Sequence, residues 1–162
     1  MTANSDNQVT ITWTSPVTNG SPITSFKIYI RSIDLSFIQE TGSCDGTSNT
    51  IISSRTCNVS LSLLRALPYS LVKGDSVYVK IISVNVYGDS NYSEEANGAV
   101  IQYVPDAPIS LTNNILSTNA YQIMFTWSQG LSNGGTEVID YNVYYDQGLG
   151  IYVLIADKLT TS

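Results

Sequence analysis

The sequence predicts an all-β fold of two sandwich modules in tandem, the second cut short. Three observations carry that reading: a strand–turn–strand unit is written twice, its strands alternate apolar and polar residues, and no segment of useful length has helical periodicity. The first copy reads Val9-Thr10-Ile11-Thr12-Trp13, then Pro16, Asn19-Gly20, Ile23 and Phe26-Lys27-Ile28-Tyr29-Ile30. The second reads Ile123-Met124-Phe125-Thr126-Trp127, then Asn133-Gly134, Val138 and Tyr141-Asn142-Val143-Tyr144-Tyr145. The interval from Trp13 to Trp127 equals that from Asn19 to Asn133, whereas Phe26 to Tyr141 is one residue longer. One residue has therefore been added at the turn near Gly134-Gly135, and the pattern is that of a duplication.

In chain order, residues 1–7 are polar and expected to be loose, too short for a full opening strand. Residues 9–14 alternate with Val9, Ile11 and Trp13 on one face, so one side of the strand is apolar and the other wet. Ser-Pro and Asn-Gly break the run. Residues 25–31 repeat the alternation, residues 37–39 form a short strand, and residues 58–63 form another. Residues 64–67 make one helical turn before Pro68, and Lys73-Gly74-Asp75 is a turn leading into a long strand over 76–85. Residues 98–103 close the first module, residues 1–103. The junction over 104–108 carries Pro105 and Pro108 and should be stiff. The second module, residues 104–162, has strands expected over 109–111, 122–128, 140–146 and 152–155. It has no counterpart of the strands over 58–103. Trp13 is expected in the core near Ile28 and Ile81, while Phe125, Trp127 and Val143 would face water unless another chain or further sequence covers them.

A Trp closing one strand, an Asn-Gly turn and an aromatic-x-aliphatic strand resemble the B–C region of a fibronectin type III module. Val77, Val79, Ile81, Ser83, Asn85, Gly88 and Ser90 are similar to that family's F strand and its Asn-x-x-Gly-x-Ser tail. Pro105-Asp106-Ala107-Pro108 resembles the Pro-x-x-Pro that opens a following module. The departure is Val77, where the family usually places the Tyr of its tyrosine corner. The resemblance implies sandwiches of roughly 100 residues each, the first with its strand A missing or short. It also implies a structural role: a spacer, adhesive or filament-forming repeat of a larger extracellular protein, joined head to tail to other modules or copies of itself. Two further classes remain open, a ligand-binding receptor module using the B–C and F–G loops, and an accessory module of a secreted hydrolase.

Hydrophobic residues make up 43% of the chain and charged residues only 12%, against an average near ~25%. Thr, Ser, Asn and Tyr supply the polar surface, a composition that suits an extracellular or cell-surface sandwich. The net charge is −6 with seven basic residues, so nucleic acid is not an expected partner. No apolar run is long enough to span a membrane, and residues 1–6 lack the features of a signal peptide. The chain is then either cytosolic or a piece of a longer secreted protein. Cys44 and Cys57 lie 13 positions apart around Asp45-Gly46-Thr47-Ser48-Asn49, which reads as a hairpin stapled by a disulfide. The alternative is two unrelated free thiols.

Histidine is absent, which removes Ser-His-Asp and Cys-His nucleophiles and imidazole metal sites. Adjacent Glu94 and Glu95 point to opposite faces if extended and read as a solvated loop. Gly130 and Gly134-Gly135 lack the Lys and helix of a phosphate loop. No catalytic residue, metal or cofactor is expected. Three Asn-x-Ser sequons start at Asn19, Asn58 and Asn91, all read as turns or strand ends. On secretion, N-linked glycans are expected there, with Asn19 and Asn91 the better exposed. Lys73-Gly74-Asp75 resembles a tripeptide read by adhesion receptors, but a Gly turn is the simpler reading. Tyr29, Tyr78, Tyr144 and Tyr152 should point away from the core.

Overall fold

The computed structural model describes residues 1–160. The fold is all-β, built from antiparallel sheets, and the chain divides into two compact units, Met1–Tyr103 and Val104–Ser162.

The first unit holds two sheets. One has the order β1 (Thr2–Ser5), β2 (Gln8–Thr12), β5 (Thr56–Ser60). The other has the order β4 (Phe37–Glu40), β3 (Ser25–Arg31), β6 (Val79–Asn85), β7 (Gly88–Asp89). Alternation decides which side chains go inward. Val9 and Ile11 on β2, Val59 on β5, and Phe26, Ile28 and Ile30 on β3 are buried in one cluster, while their strand neighbours stay wet or half-wet. Register locks the layers: Ile28 stands opposite Ile81, and Ile30 opposite Val79. A one-residue slip would turn Ile28 and Ile30 to solvent, at about 1.5–3 kcal/mol each.

Residues 2–5 are not loose. They form β1 because their short polar side chains complete a ladder. Thr2 Oγ1 donates to Val77 O at 3.1 Å and accepts from Ala99 N at 2.9 Å. Asn4 exchanges two 2.8 Å bonds with the Val100 main chain. Gly98 is required at this seam: its φ is +142°, and a Cβ there would lie 2.4 Å from Thr2 O. Residues 96–101 are bonded to residues 74–79 through Ala96, Ala99 and Ile101, but they form bridges rather than one regular strand.

Two short helices replace structure expected as strand or hairpin. β5 ends at Ser60, whose hydroxyl accepts Leu63 N–H at 3.2 Å and starts α2 (Leu61–Arg65). Leu61 and Leu64 are both buried, so the stretch follows helical spacing although Val59, Leu61 and Leu63 also alternate. Between the cysteines lies α1 (Asn49–Ser54), closed by Arg55 in the left-handed region with its N–H on Ile51 O, instead of a hairpin. Trp13 sits at the core margin, half-buried rather than central, and meets Phe26 edge-on at 5.4 Å between ring centroids. Trp13→Ala should therefore lower unfolding free energy by about 2–3 kcal/mol, below the ~3–5 kcal/mol of a fully buried aromatic truncation. Urea unfolding checks this, and an unchanged midpoint would mean that the indole adds no packing.

The second unit holds two two-stranded sheets, β8 (Ile109–Asn113) with β9 (Phe125–Ser128), and β10 (Tyr141–Tyr145) with β11 (Val153–Leu159). β9 starts later than expected because the Met124 main chain turns back onto Asn114 and Thr118. Among the described residues every buried hydrophobic belongs to the first unit. Phe125, Trp127 and Val143 are half-buried, and Tyr121 is 99% exposed.

Candidate binding cleft

The first unit has an open cleft of about 740 Å³ between residues 13–19 and residues 85–94. Its floor is apolar, made by Trp13, Ile23, Phe26 and Ile81, and its rim is polar, with Asn19, Asp89, Asn91 and Glu94. The far wall is a hairpin that the sequence builds from side-chain bonds. Asn85 Oδ1 accepts Tyr87 N–H at 2.9 Å, and Gly88 takes φ +129°. Ser90 and Ser93 then imitate a strand. Their N–H groups donate to Ser83 O and Ile81 O, each at 2.9 Å. Their hydroxyls accept the Ser83 and Ile81 N–H groups, each at 3.0 Å. The main-chain N–H and C=O of Ile81 and of Ser83 are thereby satisfied on that side without a regular partner strand. The Trp13 indole Nε1 is buried and has no hydrogen-bond partner, and the same holds for Trp127.

The sequons fall at three different places. Asn19 (φ +50°) and Asn91 are exposed at the cleft rim. Asn58 is exposed but lies in the middle of β5, not at a turn or strand end, and its Oδ1 accepts the Thr10 hydroxyl at 2.8 Å. Glu94 lines the cleft while Glu95 turns outward to Lys80 at 3.0 Å and Arg31 at 3.8 Å. Lys73-Gly74-Asp75 forms a turn, with Gly74 at φ +91° and Asp75 Oδ2 accepting Val72 N–H at 2.8 Å.

The outer face of the four-stranded sheet carries Tyr29 and Tyr78, with Tyr92 packed against it. Arg31 lies 3.6 Å above the Tyr78 ring, Lys80 lies 4.4 Å from the Phe37 ring, and Tyr29 meets Tyr92 edge-on at 5.1 Å. Tyr29 and Tyr78 point away from the core but are half-buried by these contacts; Tyr144 and Tyr152 are exposed. Burial, then the neighbouring Tyr92, raises the Tyr29 hydroxyl above its ordinary value.

Cys44 and Cys57 are joined as a disulfide. Two polar features beside it were not visible as a pair in the sequence. Glu40 is buried, its Oε1 accepts the Gly42 and Ser43 N–H groups at 2.8 Å each, and its Oε2 accepts the Tyr69 hydroxyl at 2.7 Å. Burial, with the Glu40 bond second, pushes the Tyr69 hydroxyl well above its ordinary value. The signal for Glu40 was its inward phase on β4, next to Ile28 across the ladder. No group of three or more metal-ligating side chains occurs among the described residues, and none of their helices is long and apolar enough to cross a membrane.

The second unit has its own open cleft of about 980 Å³, lined by Leu111, Phe125, Trp127, Tyr141, Val143 and Ile155 among others. Trp127 lies 5.4 Å from Tyr141 and 5.8 Å from Phe125 between ring centroids. No family model matches the chain.

Proposed function

We propose that the chain is a structural or adhesive repeat segment of a larger extracellular or cell-surface protein. In this reading both units are fibronectin type III-like sandwiches, without catalytic role or cofactor. They belong to a fibre- or stalk-like assembly in which neighbouring modules, or further copies, join head to tail. The observation that supports the reading is the apolar face of the second unit. In the first unit, β2 and β3 each have two hydrogen-bonded neighbours, and β5 and β6 bring Val59 and Val79 over the core. Their counterparts β9 and β10 each have one neighbour, with Phe125, Trp127 and Val143 on an open cleft. A module that laid strands along β9 and β10 would satisfy both edges and cover that face. The disulfide fits an oxidising compartment, and the exposed Asn19, Asn58 and Asn91 would carry glycans there.

Sedimentation of the full chain over a range of concentrations tests the assembly. Association is expected, and Val143→Asp should abolish it while leaving the unfolding of the first unit unchanged. A chain that stays monomeric throughout, with second-unit amides as protected from exchange as those of the first, would overturn the reading.

A further inference from the structure

We infer that Asn19 is a self-modification site: the turn it forms with Gly20 is free to lose ammonia and become aspartate or isoaspartate, with water as the only reagent. The inference does not rest on the assembly reading.

The sequence offers this chemistry at three places, Asn19-Gly20, Asn97-Gly98 and Asn133-Gly134. The main-chain nitrogen of the glycine attacks Cγ of the asparagine side chain. An N–C bond forms, the bond from Cγ to Nδ2 breaks, and ammonia leaves with the proton taken from the glycine N–H. The product is a cyclic succinimide. Water then adds to one of its carbonyls and opens the ring. Opening on one side gives aspartate; opening on the other leaves the main chain running through the side-chain carbon, which is isoaspartate. Asn and water become Asp and ammonia, with nothing oxidised or reduced. Glycine favours the step because it has no Cβ to crowd its nitrogen or restrict its main chain.

The peptide group joining the two residues must rotate before its nitrogen can attack, so the bonds that group makes decide which site reacts. At Asn133 it is held by its N–H: Gly134 is buried and donates to Ser132 Oγ at 3.2 Å. The side chain under attack is held too, because Asn133 Oδ1 accepts Gly135 N–H at 3.0 Å. At Asn97 the group is held by its carbonyl, which accepts Thr2 N–H at 3.4 Å. A Cβ on Gly98 would lie 2.4 Å from Thr2 O, so this peptide is wedged against β1.

Asn19 has neither restraint. Asn19 and Gly20 are exposed, and among the described residues no hydrogen bond reaches Asn19 O, the Asn19 side chain or Gly20 N–H. Nothing lies within 4 Å of a Cβ on Gly20. Both residues are left-handed, with φ +50° and +88°, as in a tight two-residue turn. The bond that closes the turn, from Ser21 N–H to Thr18 O at 3.1 Å, lies outside the peptide group that rotates. Isoaspartate would lengthen the main chain between those two partners and add a carboxylate. A glycan on Asn19 would occupy Nδ2, the leaving nitrogen, so glycosylation and this conversion exclude each other.

The test uses the full chain made without glycosylation in a bacterial host. It is incubated in mildly alkaline buffer, folded in one arm and in denaturant in the other. Peptide mapping then follows the mass gain of about 1 Da at each of the three sites. In the folded chain Asn19 is expected to convert first, about fivefold or more ahead of Asn97 and Asn133, the rate equivalent of one hydrogen bond. In denaturant the three rates should converge, because the same dipeptide is then equally free at each place. Three outcomes would overturn the inference: Asn97 or Asn133 keeps pace with Asn19 in the folded chain, Asn19 leads by the same factor in denaturant, or Asn19 does not convert.

Discussion

Gly46→Ala should lower the stability of the first unit by about 3–4 kcal/mol, combining overpacking with a lost main-chain bond. Gly46 is buried, and a Cβ placed on it would stand 1.8 Å from Phe26 O, 2.6 Å from Phe26 C and 3.1 Å from Ile28 Cδ1. Two of these atoms are backbone of β3, which β6 holds through Phe26 opposite Ser83 and Ile28 opposite Ile81. The strand cannot retreat, so the loop must. Yet Gly46 O accepts Phe26 N–H at 3.0 Å, and Cys44, two residues earlier, is tied to Cys57 on β5. A displaced loop forfeits the bond and pulls on its anchor. Gly74 is the control. Its φ is +91°, but nothing lies within 4 Å of a Cβ, so Gly74→Ala meets backbone strain alone, about 1 kcal/mol. Urea unfolding separates the two. If Gly46→Ala matched or beat the Gly74 variant in stability, the loop would not be seated on Phe26 as described.

The same loop shows what the sequence could and could not reveal. Period-two alternation around Trp13 and its copy at Trp127 located β2, β3, β9 and β10, because side chains on a half-buried strand sort themselves locally. Cys44 and Cys57 were legible as a pair because a short polar loop separates them. β1 was not legible. Thr2 and Asn4 are held by main-chain groups of residues 77–100, far away in sequence, and a polar run gives no periodic sign of that. α1 and α2, six and five residues long, are too short for helical periodicity to stand out, and α2 borrows leucines that also alternate. The cleft followed the same division. Trp13, Ile23 and Phe26 of its floor belonged to the repeat and Ile81 to the long alternating strand, but its far wall depends on Ser90 and Ser93 acting as surrogate main chain, which has no periodic sign.

The second large effect is expected at the buried carboxylate. Glu40→Ala should cost about 4 kcal/mol, the range for breaking a buried charge-assisted network by removing one partner. Three donors converge on Glu40: the Gly42 and Ser43 N–H groups and the Tyr69 hydroxyl. Alanine removes the acceptor from all three and strands the Tyr69 hydroxyl, where Tyr69 is 1% exposed, and an unmet buried donor costs more than its bond contributes when made. Glu40→Gln keeps one acceptor oxygen but sets an NH2 donor against the donors at the other position, so it should fall between wild type and alanine. Tyr69→Phe removes one donor along with its need and should cost about 1–2 kcal/mol. Glu40→Ala combined with Tyr69→Phe should then be less damaging than the sum, because the orphaned hydroxyl has gone. A pH signature accompanies the network. The Tyr69 hydroxyl ionises above its ordinary value of 10.0 in the folded chain, so the unfolded chain loses that proton first. Its contribution is complete below pH 10 and declines as pH rises above it. Part of the shift comes from Glu40, so Glu40→Ala should make this alkaline decline shallower. Denaturant melts of wild type, Glu40→Ala, Tyr69→Phe and the double variant at neutral pH and above pH 10 read both effects. Strict additivity of the two substitutions, with an unaltered alkaline slope, would show that Glu40 and Tyr69 act independently.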